Sequence, residues 1–212
     1  ASGTSGQSVG VKLNSITAGG VSSTFSNVMG NALQIGSVAT AAVNFSTITV
    51  SDTTVDAGTQ AYNVWSGVAG VSTRDVNLRA ATFKFVGSAP VDALANLSLF
   101  VDGTKVAGPS AINAANNNKV TFDLGNTPFL LKTGSHTIDV RGDVVKGSNR
   151  TMTMSVENVA DLMLEDSNLA GVNVSATVAS AALTQGNSKY RTITVNKGSV
   201  TVSVDPSYTA SK

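Results

Sequence analysis

The sequence predicts an all-β chain built as an antiparallel sandwich, and three observations carry that prediction. Apolar residues alternate at period two, most clearly Val76, Leu78 and Ala80 leading to Phe83 and Phe85, then Leu97, Leu99 and Val101. Such alternation marks a strand with one buried face and one wet face. The runs are short and densely punctuated by turn signals, which suits a sandwich better than a βαβ fold. Composition agrees: Val and Thr fit a pleated surface, Gly and Asn fit turns, and strong helix formers are sparse.

The elements follow in chain order. Residues 1–8 read as an entry segment. Val9, Val11 and Leu13 alternate as a first short strand, with Ile16 just beyond and a turn at Ala18-Gly19-Gly20. Residues 21–43 are rich in small side chains, with strand signals only over 32–35 and 38–43. Phe45, Ile48 and Val50 predict a strand that ends at Ser51-Asp52, and Asp56-Ala57-Gly58-Thr59 predicts a turn. The stretch 61–71 carries the only Trp. The two central strands lie within 74–101, separated by Gly87-Ser88-Ala89-Pro90. Asp102-Gly103 predicts a two-residue hairpin, because this pair readily takes positive φ. Asn116-Asn117-Asn118 reads as a loop, and Val120, Phe122 and Leu124 share one strand face. Strands are predicted over 136–145 and 150–156, with Ile138, Val140, Val144, Met152, Met154 and Val156 facing in. Residues 158–166 read as a helical turn or a short strand. Val172, Val174, Ala176 and Val178 alternate again, and the last strands fall at 190–195 and 200–204.

Several functional classes lose support from composition. The 212 residues suffice for one large β domain with a real core. Charged residues make up 13% and the net charge is +1, which argues against nucleic acid, whose phosphates call for a basic stripe. There is no cysteine, which argues against a small disulfide-stapled domain. No apolar run is long enough for a membrane span, and no signal peptide is visible. The small polar start and the Ser/Thr/Asn/Gly-rich surface lean towards an exported, extracellular chain.

Internal similarity is the most informative feature. Ser46-Thr47-Ile48-Thr49-Val50-Ser51 resembles Ser199-Val200-Thr201-Val202-Ser203-Val204, and Gly10-Val11-Lys12-Leu13 is echoed by Gly171-Val172-Asn173-Val174. The expected organisation is a segment 1–45 resembling the tail of a preceding module, a main module 46–197, and a terminal strand 198–212 resembling the start of a next one. A strand at the end of a unit lacks a partner within it. It can be satisfied by a neighbouring module or by another subunit. Val9, Val11, Leu13, Val200, Val202 and Val204 are the candidate assembly residues.

Arg74-Asp75-Val76-Asn77-Leu78 running into Phe83-Lys84-Phe85, Leu97-Ser98-Leu99-Phe100-Val101-Asp102-Gly103, the stretch Gly134-Ser135-His136-Thr137-Ile138-Asp139-Val140-Arg141-Gly142-Asp143-Val144 and the closing Gly198-Ser199-Val200-Thr201-Val202-Ser203-Val204-Asp205-Pro206-Ser207 together resemble a known pattern. It is that of the repeated Ig-like modules of large bacterial cell-surface and surface-layer-like proteins of the candidate-phylum type, over roughly residues 43–212. The resemblance implies an Ig-like sandwich, a structural or adhesive extracellular role, and no catalytic residues. An acidic residue often stands where this chain has Arg74.

Candidate sites are few. His136 is the only histidine, so any Ser-His-Asp arrangement would have to use it; the competing reading is an exposed strand residue. Asp161, Glu165 and Asp166 cluster and are the candidate Ca²⁺ ligands, with Asp139 and Asp143 nearby, against a plain solvated acidic turn. Trp65 and Tyr62 are the candidate glycan platform, against a core plug. Asn44, Asn96, Asn149 and Asn173 head Asn-x-Ser/Thr patterns, which arise readily by chance in so Asn- and Ser-rich a chain. The expectation is a non-enzymatic extracellular structural protein, with no cofactor except Ca²⁺, that assembles with itself or with neighbouring modules. A carbohydrate-binding or adhesive module is the alternative.

Overall fold

The structure is a computed structural model. It describes residues 7–34, 36, 39–47, 51–169, 171, 173–174, 176–178, 191–197 and 203. The chain divides into two compact units, 1–39 and 40–212.

The first unit holds β1 (Ser8–Val9), β2 (Lys12–Ala18), β3 (Val21–Met29) and β4 (Leu33–Gln34). β2 and β3 form an antiparallel hairpin across Gly19 and Gly20, and β1 pairs with β4. The expected strand over Val9, Val11 and Leu13 is broken after Val9 and resumes at Lys12. β3 was not foreseen, because the pairing slips between Leu13 and Ser15 and its apolar residues therefore keep no strict alternation.

The second unit is the predicted all-β sandwich. Its strands are β5 (Ala42–Thr47), β6 (Thr53–Val55), β7 (Tyr62–Ser72), β8 (Val76–Gly87), β9 (Leu94–Val101), β10 (Thr104–Ser110), β11 (Lys119–Asp123), β12 (Phe129–Leu131), β13 (Gly134–Val144), β14 (Thr151–Ser155), β15 (Leu162–Asp166), β16 (Asn173–Val174), β17 (Ala176–Val178) and β18 (Ile193–Val195). One sheet runs β10-β9-β13-β7-β5-β17. The other runs β16-β15-β8-β14-β18-β6, with β11 and β12 also pairing with β8. No α-helix occurs among the described residues, only 3₁₀ turns at Val91–Ala93, Ala114–Asn116 and Val159–Asp161. Among the described residues no helix is long and apolar enough to cross a membrane.

The two central strands of the sequence, β8 and β9, each lie inside a sheet, but in opposite sheets. The Asp-Gly hairpin forms as predicted: Asp102 and Gly103 both have positive φ and Thr104 pairs with Val101. Residues 158–166 are both things predicted, a helical turn followed by β15. One expectation is corrected. The sandwich is not wholly antiparallel, because β17 runs parallel to β5 and β18 parallel to β6. Parallel pairing becomes open to these late strands because the whole sandwich separates them from their partners, leaving ample chain for the crossover.

A single apolar cluster fills the space between the sheets. At its centre Trp65 stacks on Phe45 with ring centroids 5.8 Å apart and meets Phe83 edge-on at 4.8 Å. Phe83 in turn meets Phe122 at 5.9 Å. Val43 and Phe45 belong to this core, so the sandwich begins at β5, before the boundary expected at 46. The predicted terminal strand over 200–204 lies outside the described residues apart from Ser203.

Candidate functional site

The most unusual feature is the first unit. Every residue there whose burial is described is exposed. Val11 is 79% and Leu33 74% exposed, and Val9, Leu13, Ile16, Val21, Phe25, Val28 and Met29 are exposed as well. In the β2–β3 hairpin Leu13 faces Val28, Lys12 faces Met29 and Ala18 faces Val21, so apolar residues occur on both faces. A two-stranded ribbon has no interior, and by itself it is marginal in water.

The sandwich treats its edges differently. The strands ending the two sheet paths are β10, β17, β16 and β6. β10 is interrupted by two register shifts and carries Pro109, which has no N–H to offer. Among the described residues β6 and β17 have three residues each, and β16 has two. Short, bulged or proline-bearing edges resist pairing with another chain. β2 and β3, with 7 and 9 residues, are longer and carry no proline, and their pairing slips once, between Leu13 and Ser15.

The predicted assembly residues Val9, Val11 and Leu13 therefore lie in the exposed unit. Val200, Val202 and Val204 fall outside the described residues. Sequence reasoning missed Val21, Phe25, Val28 and Met29; their signal was apolar content without a period.

The glycan platform is corrected. Trp65 is fully buried against Phe45 and Phe83 and offers no face to a sugar. Tyr62 is half-buried, its ring capped by the Arg191 guanidinium at 5.3 Å and its hydroxyl accepting a bond from Arg191 at 3.0 Å. The four sequon asparagines Asn44, Asn96, Asn149 and Asn173 are all exposed.

The calcium cluster is corrected too, because each carboxylate is already employed separately. Asp161 accepts the Asn158 N–H at 2.9 Å in a capping box and faces Lys119 at 3.4 Å. Glu165 is held by Arg79 and by the Gly171 N–H at 2.6 Å. Asp166 takes the N–H groups of Ala41 at 2.8 Å, Asn168 at 2.9 Å and Leu169 at 3.2 Å. Its pKa is lowered, first by the Ala41 bond, which outweighs its burial. Among the described residues no group of three or more His, Cys, Asp or Glu side chains could hold a metal ion. Asp139 and Asp143 sit elsewhere. Asp139 is buried, accepting from Ser66 at 2.5 Å and from Arg141 at 2.9 Å. Asp143 takes the Ala61 N–H and the Asn96 amide, both at 2.8 Å.

His136 is a clasp. Nδ1 lies 2.7 Å from the Asp102 carboxylate and Nε2 lies 2.7 Å from the Lys132 carbonyl. Both neighbours accept only, so the clasp is fully bonded when both ring nitrogens donate, in the protonated ring. Burial alone would lower its pKa, but the bonds to Asp102 and Lys132 outweigh that and raise it. Bonded this way, it has no lone pair with which to take a proton from a nucleophile.

Lys84, Lys119, Glu157 and Asp161 form a half-buried ion network, with Lys84 2.6 Å and Lys119 3.1 Å from Glu157. Burial would lower the Lys119 pKa, yet Glu157 and Asp161 raise it. The Glu157 pKa is lowered, first by Lys84. Both shifts favour the charged forms.

No family model matches the chain, and no curated protein matches it.

Proposed function

We propose that this protein is a non-enzymatic, extracellular structural component whose Ig-like sandwich is a rigid body. Its exposed strands join copies, or neighbouring modules, into a layer or filament. The observation that carries the reading is the first unit: two small sheets with exposed apolar residues, edges of up to 9 residues and no buried residue among those described. Backbone pairing would supply affinity at those edges and apolar side chains the contact area. A net charge of +1 leaves little repulsion between copies.

The test is the size of the chain against concentration, by light scattering and negative-stain imaging, for the full chain and for one lacking residues 1–34. Assembly that grows with concentration and vanishes on deletion, with the melting temperature of the sandwich retained, is the expected result. A monodisperse monomer at all concentrations overturns it.

A further inference from the structure

We infer that β2 of one copy replaces β16 on the β15 edge of a second copy. This deepens the assembly reading and rests on it. The first support is a pattern met twice, Gly10-Val11-Lys12-Leu13 and Gly171-Val172-Asn173-Val174. In the sandwich the last two residues of the second occurrence, Asn173–Val174, are the edge strand β16. Val174 faces Leu164, Asn173 faces Glu165, and the Gly171 N–H donates to Glu165 Oε1 at 2.6 Å. The first occurrence runs into β2, which begins at its Lys12 and is a 7-residue strand whose side chains are exposed.

The second support is the acceptor. Among the described residues, β16 pairs with β15 at two positions. Beside that short pairing lies a cleft of about 490 Å³, lined by Val159, Ala160, Leu162, Met163, Leu164 and Val174. Met163 is 55% exposed at its mouth.

Laying the first pattern on the register of the second gives a consistent contact. Gly10 supplies the N–H that Gly171 now gives Glu165. Leu13 takes the place of Val174 opposite Leu164. Lys12 replaces neutral Asn173 opposite Glu165, so the exchange adds an opposite-charge cross-strand pair. β2 then continues past Leu13, placing Asn14 opposite Met163 and carrying Ile16 towards Val159 and Ala160. Donor and acceptor are different surfaces, so the contact either reciprocates in a closed dimer or propagates as a filament.

The chain has no cysteine, which makes the test clean. Single-cysteine chains Asn14→Cys and Met163→Cys, both at exposed positions, are mixed under mild oxidation at a concentration where light scattering reports assembly. Residues directly opposite on antiparallel strands lie within disulfide reach. The expected result is a covalent 14–163 dimer, with none from the register control Thr17→Cys plus Met163→Cys. Lys12→Glu should weaken association roughly fivefold, since it sets like charges opposite each other. Assembly without a 14–163 disulfide, or with equal yields for both pairs, overturns this contact and leaves the assembly reading standing. A chain that stays monomeric overturns both.

Discussion

Gly67 shows how a single residue sets the core. A Cβ built there would lie 2.5 Å from the Trp65 ring and 2.9 Å from the Phe45 ring. Both rings are fully buried and stacked, so neither has room to retreat. Gly67→Ala should therefore cost about 1–3 kcal/mol by overpacking, read as a lower denaturation midpoint with a shifted Trp emission. An unchanged midpoint would mean that the Trp65 stack is loose. The His136 clasp makes a second residue-scale prediction. Its raised pKa means that its stabilisation is complete below the ordinary histidine value of 6.5 and is lost as pH rises through the folded pKa. For Asp102, burial would raise the pKa, but the bonds from His136 and the Thr137 N–H leave it lowered. That contribution is complete above 3.8 and is lost as pH falls through the folded value. The clasp is thus strongest between 3.8 and 6.5. Melting temperature should fall on the alkaline side of this window, and the alkaline slope should flatten in His136→Gln. A slope unchanged in that variant would assign the pH dependence elsewhere.

At the scale of elements, the carboxylates read as a possible metal site turn out to be fasteners. Asp166, at the end of β15 in one sheet, accepts the Ala41 N–H immediately before β5 in the other. It thereby ties the start of the sandwich to its far side. Asp166→Ala would leave three N–H groups without that acceptor. It should lower the melting temperature by roughly 5 °C and speed amide exchange over 42–47. An effect confined to 168–169 would show that the local turn, not the tie, is what Asp166 maintains. This also explains what was legible. Strands with one buried face, such as β8, β9, β11, β13 and β14, were readable because alternation reports burial directly. The Asp102-Gly103 hairpin was readable because its backbone demands particular residues. The roles of Asp161, Glu165 and Asp166 were not, since their partners Lys119, Arg79 and Ala41 are distant in sequence. Trp65 carries the same spelling whether it plugs a core or faces solvent. β3 was hidden because it has no buried face to impose a period.

For the whole molecule, the contrast between the two units predicts how stability is distributed. The sandwich shares one core, so its strands should open together and resist exchange to a similar degree. The β2–β3 hairpin buries nothing, and its backbone bonds stand in water with no apolar shield. In dilute solution its amides over 12–18 and 21–29 should exchange nearly as fast as those of an unfolded chain, although they belong to the longest strands of the first unit. If copies pair through these strands, protection there should rise with protein concentration while protection over β7, β8 and β13 stays constant. Hydrogen exchange at two concentrations separates the cases. Strong protection of 12–29 in a monodisperse, dilute sample would mean that the hairpin is stable without a partner, and the reason to look for one would disappear. Protection that appears only on assembly would identify these strands as the part of the chain that folds by joining.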